Sequence, residues 1–263
     1  MLLDLDPVVT VDYATMGGRP LQLDIYRPAG MPPCPTCLWL HGGAWFLGDR
    51  VTGADRFAAG LAQRGVAVAS VDYRLGAEGA FPANVRDVQA AVRWIRSHGT
   101  EYGLNGAKVG SWGASAGGHL SLMAALTATG DDPSGRPDAV VDCYGPTDLV
   151  ARLSRTELER AVLGEPPEVR YLQTTLDDPD LDRAREASPL FRDLTDTPPT
   201  LIIHGDRDQQ MALDQSQRMH QALVAAGRDA QLIILGGAGH DGPEHASPWV
   251  LDAIAGFLRQ HLS

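Results

Sequence analysis

With 263 residues, 44% of them apolar and 21% charged, the chain has the make-up of an ordinary globular protein, and its length suits one α/β domain with an insertion. The net charge of −11, from 22 basic and 33 acidic residues, argues against nucleic acid and anionic membrane surfaces as partners. Lys108 is the only lysine, which nearly excludes Schiff-base and Ser–Lys chemistry.

The segment Met1 to Pro7 carries Asp4 and Asp6 and no basic residue, unlike a secretory leader, so a cytoplasmic location is expected. No apolar run approaches the roughly 18–20 residues of a membrane span. Strands are predicted at Val8–Tyr13 and Leu21–Tyr26, joined through Met16-Gly17-Gly18-Arg19 as a hairpin. Further strands are predicted at Cys37–His41, Val66–Val71, Lys108–Trp112, Val140–Tyr144, Thr200–His204 and Gln231–Leu235. These later runs are apolar throughout, as strands covered on both faces should be. Helices fit between them at Ala54–Arg64, Ala116–Thr127, Leu213–Ala226 and His245–His261. Another, capped by Asn84, places Val85, Val88, Val92 and Ile95 on one face and ends near Gly99. The alternation predicts a mostly parallel, eight-stranded sheet with helices on both faces.

Thr147 to Thr197 interrupts the pattern with about fifty residues, rich in charge and without a convincing strand. Ser154-Arg155-Thr156-Glu157 reads as a capping box and Gly164 as a stop. The segment 147–197 is expected to be a small helical cap within a single domain spanning 1–263, over the carboxyl edge of the sheet, where such folds bind ligands. Its apolar residues Leu149, Val150, Leu153, Leu158, Val162, Leu163, Tyr171, Leu172 and Leu176 must bury against something.

The strongest chemical signal is Gly113-Ala114-Ser115-Ala116-Gly117, between a predicted strand and a small-residue helix. A strained turn there would expose the Ser115 hydroxyl, and larger neighbours would collide. A serine hydroxyl needs a base held by a third group. Among eight histidines, His240 lies in a glycine-rich loop after the last strand, at the same edge as Ser115. His119, one helical turn past Ser115, reads as helix packing, and His98, His220, His245 and His261 read as helix surface or helix ends. The orienting acid belongs between serine and histidine in the chain. Asp206 and Asp208 both follow strand Thr200–His204; Asp206 sits directly after a glycine and could be tied up by the turn, whereas Asp208 reaches further. His41-Gly42-Gly43-Ala44-Trp45 follows the third strand, and its amides, with that of Ala116, could face an oxyanion.

Together these pieces resemble the α/β-hydrolase superfamily, and within it the bacterial esterases and lipases of the hormone-sensitive-lipase-like and feruloyl-esterase-like groups. The resemblance also rests on Gly48-Asp49, Val71-Asp72-Tyr73-Arg74-Leu75, Phe81-Pro82-Ala83, Asp87 to Trp94, Gly118-His119-Leu120, Ser188-Pro189, His204-Gly205-Asp206-Arg207-Asp208 and Gly239-His240. It implies an ester-cleaving serine hydrolase with Ser115, Asp208 and His240 as triad. It places the oxyanion hole at Gly42, Gly43, Ala44 and Ala116, and it needs no cofactor. Trp45, Tyr171 and Leu172 are expected to bind a substrate of short to medium acyl chain. Two departures stand out: Ala44 replaces the family's frequent third glycine, and Gln209-Gln210-Met211-Ala212 replace its frequent Val-Pro after the acid. An arylformamidase-type amide hydrolase, or a biosynthetic acyltransferase or cyclase, would use the same residues; a non-catalytic relative would not keep all three. The expected partner is a small-molecule ester, without nucleic acid or membrane, and a homodimer is left open. Cys34-Pro35-Thr36-Cys37 has no second half suited to zinc. Cys37 is expected in the core and Cys34 in a loop. No metal is expected at the cluster of His240, Asp241, Glu244 and His245.

Overall fold

The computed structural model describes residues 2–31, 33–128 and 133–263, with the side chains of Arg160 and Leu163 outside the described set. Leu163, one of the apolar residues expected to bury, is therefore not placed.

Among the described residues, eight strands form one sheet: β1 (Val9–Met16), β2 (Arg19–Tyr26), β3 (Cys34–Leu40), β4 (Ala67–Val71), β5 (Leu104–Ala114), β6 (Ala139–Cys143), β7 (Thr200–Gly205) and β8 (Ala230–Leu235). Their order across the sheet is β1-β2-β4-β3-β5-β6-β7-β8. The strand β2 runs antiparallel to both β1 and β4, and the strands from β3 to β8 pair in parallel. Met16 pairs with Arg19 across a two-residue turn whose Gly17 and Gly18 both have positive φ, 60° and 79°. That turn twists in the sense of the strands it joins and is nearly closed to other residues.

Nine helices lie among the described residues: α1 (Ala58–Ala62), α2 (Ala83–His98), α3 (Ala116–Thr127), α4 (Leu149–Leu153), α5 (Glu157–Leu163), α6 (Pro167–Leu172), α7 (Leu181–Glu186), α8 (Asp214–Ala225) and α9 (Pro248–Leu262). None is long and apolar enough to cross a membrane. On one face of the sheet, α2 and α3 pack Val85, Val88, Val92, Ile95 and Leu120 against Leu38 and Leu40. On the other, α1 and α9 pack Leu61, Ile254 and Leu258 against Cys37, Trp39 and Trp112. The period of two along a strand sends neighbours to opposite layers. Cys34 and Cys37, three apart on β3, therefore enter different cores. Both are buried, which corrects the expectation of Cys34 as a loop thiol.

Several boundaries differ from the sequence pattern for local reasons. Asn84 does not cap α2: it is buried in the first turn, where its side-chain oxygen accepts the Tyr171 hydroxyl at 3.2 Å. The helix expected over Ala54–Arg64 shrinks to α1, because turns that begin around Gly53 (φ 70°) lead into Phe57, which stacks on Trp39. The last helix starts at Pro248, a residue suited to a first helical position, after a separate 3₁₀ turn at Pro243–Ala246. The capping box forms two residues later than the pattern suggests. The Glu159 amide donates to Thr156 Oγ1 and Glu159 Oε2 takes the Thr156 amide, while Ser154 Oγ donates back to the Val150 carbonyl.

Candidate active site

The turn from β5 into α3 holds Ser115 at φ 54° and ψ −118°, a conformation that L-residues avoid. A Cβ on Gly113 would collide with the Gly117 backbone, and one on Gly117 with the Leu40 carbonyl. Two glycines therefore let the turn close, and it is pinned by the Ser115 amide donating to the Cys143 carbonyl at 2.8 Å.

His240, in the loop after β8, places Nε2 3.1 Å from Ser115 Oγ and Nδ1 2.7 Å from Asp208 Oδ2. An ionised carboxylate only accepts, so Nδ1 carries the proton and Nε2 is left to receive the serine hydroxyl proton. The Asp208 side chain is fully buried. Its Oδ1 accepts the amides of Gln210 and Met211 at 2.9 and 2.8 Å. Burial alone would raise its pKa. Hydrogen bonds from His204, His240 and the Met211 amide outweigh that and hold the carboxyl well below the usual range. Asp206 does different work: its Oδ1 accepts the Gly237 amide at 2.6 Å and ties the ends of β7 and β8 together. Of the two aspartates that spacing left open, Asp208 is the one in contact with His240. The Gln209-Gln210-Met211 stretch that departs from the family pattern supplies two of its amide donors.

The loop after β3 carries three consecutive residues at positive φ: Gly43 (121°), Ala44 (53°) and Trp45 (64°). A Cβ on Gly43 would strike the Leu47 carbonyl. Among the described residues the amides of Gly43 and Ala44 have no protein acceptor, and that of Ala116 is a first-turn donor of α3. The loop is buttressed from below by Tyr73, whose hydroxyl donates to the His41 carbonyl at 2.8 Å and whose ring stacks on the His41 ring. The next residue, Arg74, grips the buried Asp87 of α2 through both of its oxygens.

Two cavities flank Ser115. The larger, about 440 Å³, is walled by Trp39, Phe57 and Tyr144, with Arg56 and Asp241 paired at 3.1 Å. The smaller, about 60 Å³, is walled by Trp45, Ala116 and Met211 and by Arg152, Pro167 and Glu168 of the insertion. The insertion thus closes over one side of the serine.

The expected substrate contacts need correcting. Tyr171 and Leu172 line neither cavity and are fully buried. The Tyr171 ring lies flat on Trp45, centroids 4.2 Å apart, and its edge meets His119 and Phe81, so the apolar side of the insertion is sealed onto the domain. Trp45 reaches the smaller cavity but is itself almost wholly enclosed. His119 is more than helix packing: buried, with pKa lowered to about 4 by desolvation against a raising hydrogen bond, it pairs Nε2 with the Ala187 carbonyl at 2.8 Å. The sequence pattern places His204 at a strand end and assigns it no role of its own. The His204 ring places Nε2 3.4 Å from Asp208 Oδ2 and 2.9 Å from the Met211 carbonyl, with Nδ1 2.7 Å from Ser216 Oγ. A histidine closing an otherwise apolar strand just before Gly-Asp was the available signal.

The family model BD-FAE matches residues 23–223. The chain is 35% identical over 264 residues to the esterase LipC of Mycobacterium tuberculosis, covering 93% of this chain and 63% of that protein. It is 30% identical over 231 residues to LipM of the same organism, a probable carboxylic ester hydrolase, covering 78% of this chain and 51% of that one. The chain thus spans between about half and two thirds of the length of these relatives. Among solved structures, it is similar to a truncated carbohydrate esterase from gut microbiota (TM-score 0.82, 27% identity, covering 98% of this chain and 96% of that one). It is also similar to an esterase of Pyrobaculum calidifontis (TM-score 0.80, 26% identity, covering 98% and 86%).

Proposed function

Given that the chain belongs to the BD-FAE family and has an α/β-hydrolase fold, we propose that it hydrolyses carboxylic esters through Ser115, His240 and Asp208. The observation that carries the reading is the continuous relay from Asp208 Oδ2 through the His240 ring to Ser115 Oγ, at 2.7 and 3.1 Å. Relatives named as esterases support the reaction class.

Ser115 Oγ attacks the ester carbonyl as His240 Nε2 takes its proton. The carbonyl oxygen gathers negative charge and moves toward the free amides of Gly43, Ala44 and Ala116, with Gly42 shaping the loop. Those amides are fixed before substrate arrives, so little reorganisation is needed in the transition state. The tetrahedral species collapses to an acyl-serine as imidazolium His240 protonates the leaving alkoxide. Asp208, ionised and hydrogen-bonded to Nδ1, stabilises that cation and keeps the imidazole in the right tautomer. Water then repeats the sequence on the acyl-enzyme and returns Ser115. No step calls for a cofactor.

An open cavity of about 440 Å³ beside one of about 60 Å³ suits an ester with one modest and one short arm rather than a long lipid tail. A fluorophosphonate probe should label Ser115, and p-nitrophenyl acetate or butyrate should be cleaved with higher kcat/KM than palmitate. Absence of labelling on folded protein would defeat the triad. Preference for palmitate would defeat the short-chain reading alone.

A further inference from the structure

The Asp208 carboxylate is held by more than His240. Its Oδ2 is shared between two imidazoles, with His240 Nδ1 at 2.7 Å and His204 Nε2, at the end of β7, at 3.4 Å. Its Oδ1 is taken by the amides of Gln210 and Met211. The His204 ring is fully buried and partnered at both nitrogens, since Nε2 also meets the Met211 carbonyl at 2.9 Å and Nδ1 meets Ser216 Oγ of α8 at 2.7 Å. His204 lines neither cavity beside Ser115, so whatever it does for the reaction it does through Asp208.

The proton on that ring follows from its partners. Nε2 faces a carbonyl oxygen and a carboxylate oxygen, which only accept, so Nε2 carries a proton. The Ser216 hydroxyl is free to donate to Nδ1 and so keeps the ring in this orientation. The single N–H of His204 thereby bridges the two ends of the turn from Asp208 to Met211, which the Asp208 Oδ1 contacts close from within. That stretch, Gln209-Gln210-Met211, has no proline to fix a φ angle, so its shape depends on hydrogen bonds.

What these bonds set is the plane of one carboxylate. The terminal torsion of an aspartate is broad, and Oδ2 must face His240 Nδ1 for the imidazole to keep its tautomer. The two amides fix Oδ1. A donor on Oδ2 besides His240 fixes the other oxygen, and keeps it fixed while His240 takes up a proton and gives it back.

We propose that His204, oriented by Ser216, is a positioning residue for the triad: it holds the Asp208 carboxylate in line with His240. The assignment rests on the esterase reading of Ser115, His240 and Asp208, and adds to it a second histidine that acts on the acid alone.

Three substitutions test it, with kcat and KM read separately on p-nitrophenyl butyrate. His204→Met fills a similar volume without a donor, and should lower kcat about ten- to a hundredfold with KM within about threefold, because the acid and not the substrate is displaced. His204→Gln returns an N–H and should restore kcat to within about threefold of wild type. Ser216→Ala frees the ring without emptying its site, and should lower kcat about three- to tenfold. The proton between His240 Nδ1 and Asp208 Oδ2 should give a far-downfield ¹H signal that Asp208→Asn abolishes. That signal should shift or broaden in His204→Met, at a temperature where circular dichroism shows a folded protein, and should keep its place in His204→Gln. A role in packing alone would lower the melting temperature and leave kcat and the signal unmoved. Folded His204→Met with kcat within about threefold of wild type would overturn the proposal, as would no recovery in His204→Gln. If His204→Met does not fold, Ser216→Ala decides, and a kcat within about twofold of wild type overturns the proposal. No turnover by the wild-type protein would instead overturn the esterase reading beneath it.

Discussion

The loops at the carboxyl edge of the sheet and the insertion between β6 and β7 meet at Ser115, yet they are built on opposite terms. The edge loops hold strained backbone: Ala44, Trp45, Ser115, Tyr144 and Asp241 all lie at positive φ. What they gain is exposure of amides and of a hydroxyl where a substrate can reach them. The insertion is secured by burial, with Leu149, Leu153, Val169, Tyr171 and Leu172 all in the core. Changes at the edge should therefore remove turnover and spare stability, whereas changes in the insertion's apolar face should do the reverse. The small cavity, where Arg152 and Glu168 meet Ala116, is the seam between the two regimes.

The sharpest way to break that contrast is Ser115→Ala. The rate should fall on the order of 10⁴–10⁶-fold with the melting temperature essentially unchanged. Turnover within tenfold of wild type, in protein free of host esterase, would refute the assignment. Next, Asp208→Asn should lower kcat by about 10²–10⁴, since the amide presents the wrong partner to His240 Nδ1. Asp206→Asn should cost only a few fold, because its carboxylate serves the Gly237 amide; the reverse ranking would move the acid. On the other side of the contrast, Tyr171→Ala removes the ring stacked on Trp45 and the hydroxyl bonded to Asn84, and should cost about 3–5 kcal/mol of stability. Chain-length preference should shift less than stability does. A changed preference at an unchanged melting temperature would return Tyr171 to the substrate site.

The smallest expected effect is on stability against pH. His119 and His245 have pKa values lowered to about 4, desolvation being the largest cause for each. Their unfolded forms titrate near 6.5. Their contribution is thus complete above about pH 6.5 and is lost as pH falls toward 4. Asp142 acts in the opposite sense. Its burial outweighs the Gly145 hydrogen bond and raises it to about 6, so its contribution is full at low pH and is lost as pH rises through about 6. Two histidines against one carboxyl leave a net loss on acidification. Between pH 7 and 4.5 the melting temperature should drop by roughly 5 °C. A calorimetric scan showing a rise would invert that balance.

How much of this was legible depended on whether one surface or two could satisfy a residue. The strands were legible because runs such as Leu38 to Leu40 and Thr200 to His204 are covered on both faces and tolerate no other placement. Ser115 stood out because Gly113 and Gly117 mark a turn that admits little else. Asp206 and Asp208 could not be separated by spacing, since what distinguishes them is the Gly237 amide, about thirty residues away in the chain. Tyr171 and Leu172 offered an apolar face that either the core or the site could cover, and pattern cannot say which. Nothing in the sequence singles out Glu168, because its partner Arg152 lies on a different helix, across a turn that no sequence rule fixes.

The three thiols sit where oxidants find nothing to attack. Burial raises the pKa of Cys34 and Cys37, and it pushes Cys143 up to about 12 against a hydrogen bond from Trp112. The reactive thiolate is therefore scarce at any physiological pH. The pleat of β3 directs Cys34 and Cys37 through opposite faces of the sheet, so a bridge between them would require the strand to come apart. A spelling shared with redox-active loops is electrochemically silent when it is laid along a strand. The molecule should keep its shape and its turnover alike in reducing and oxidising surroundings, with no reductant to protect it.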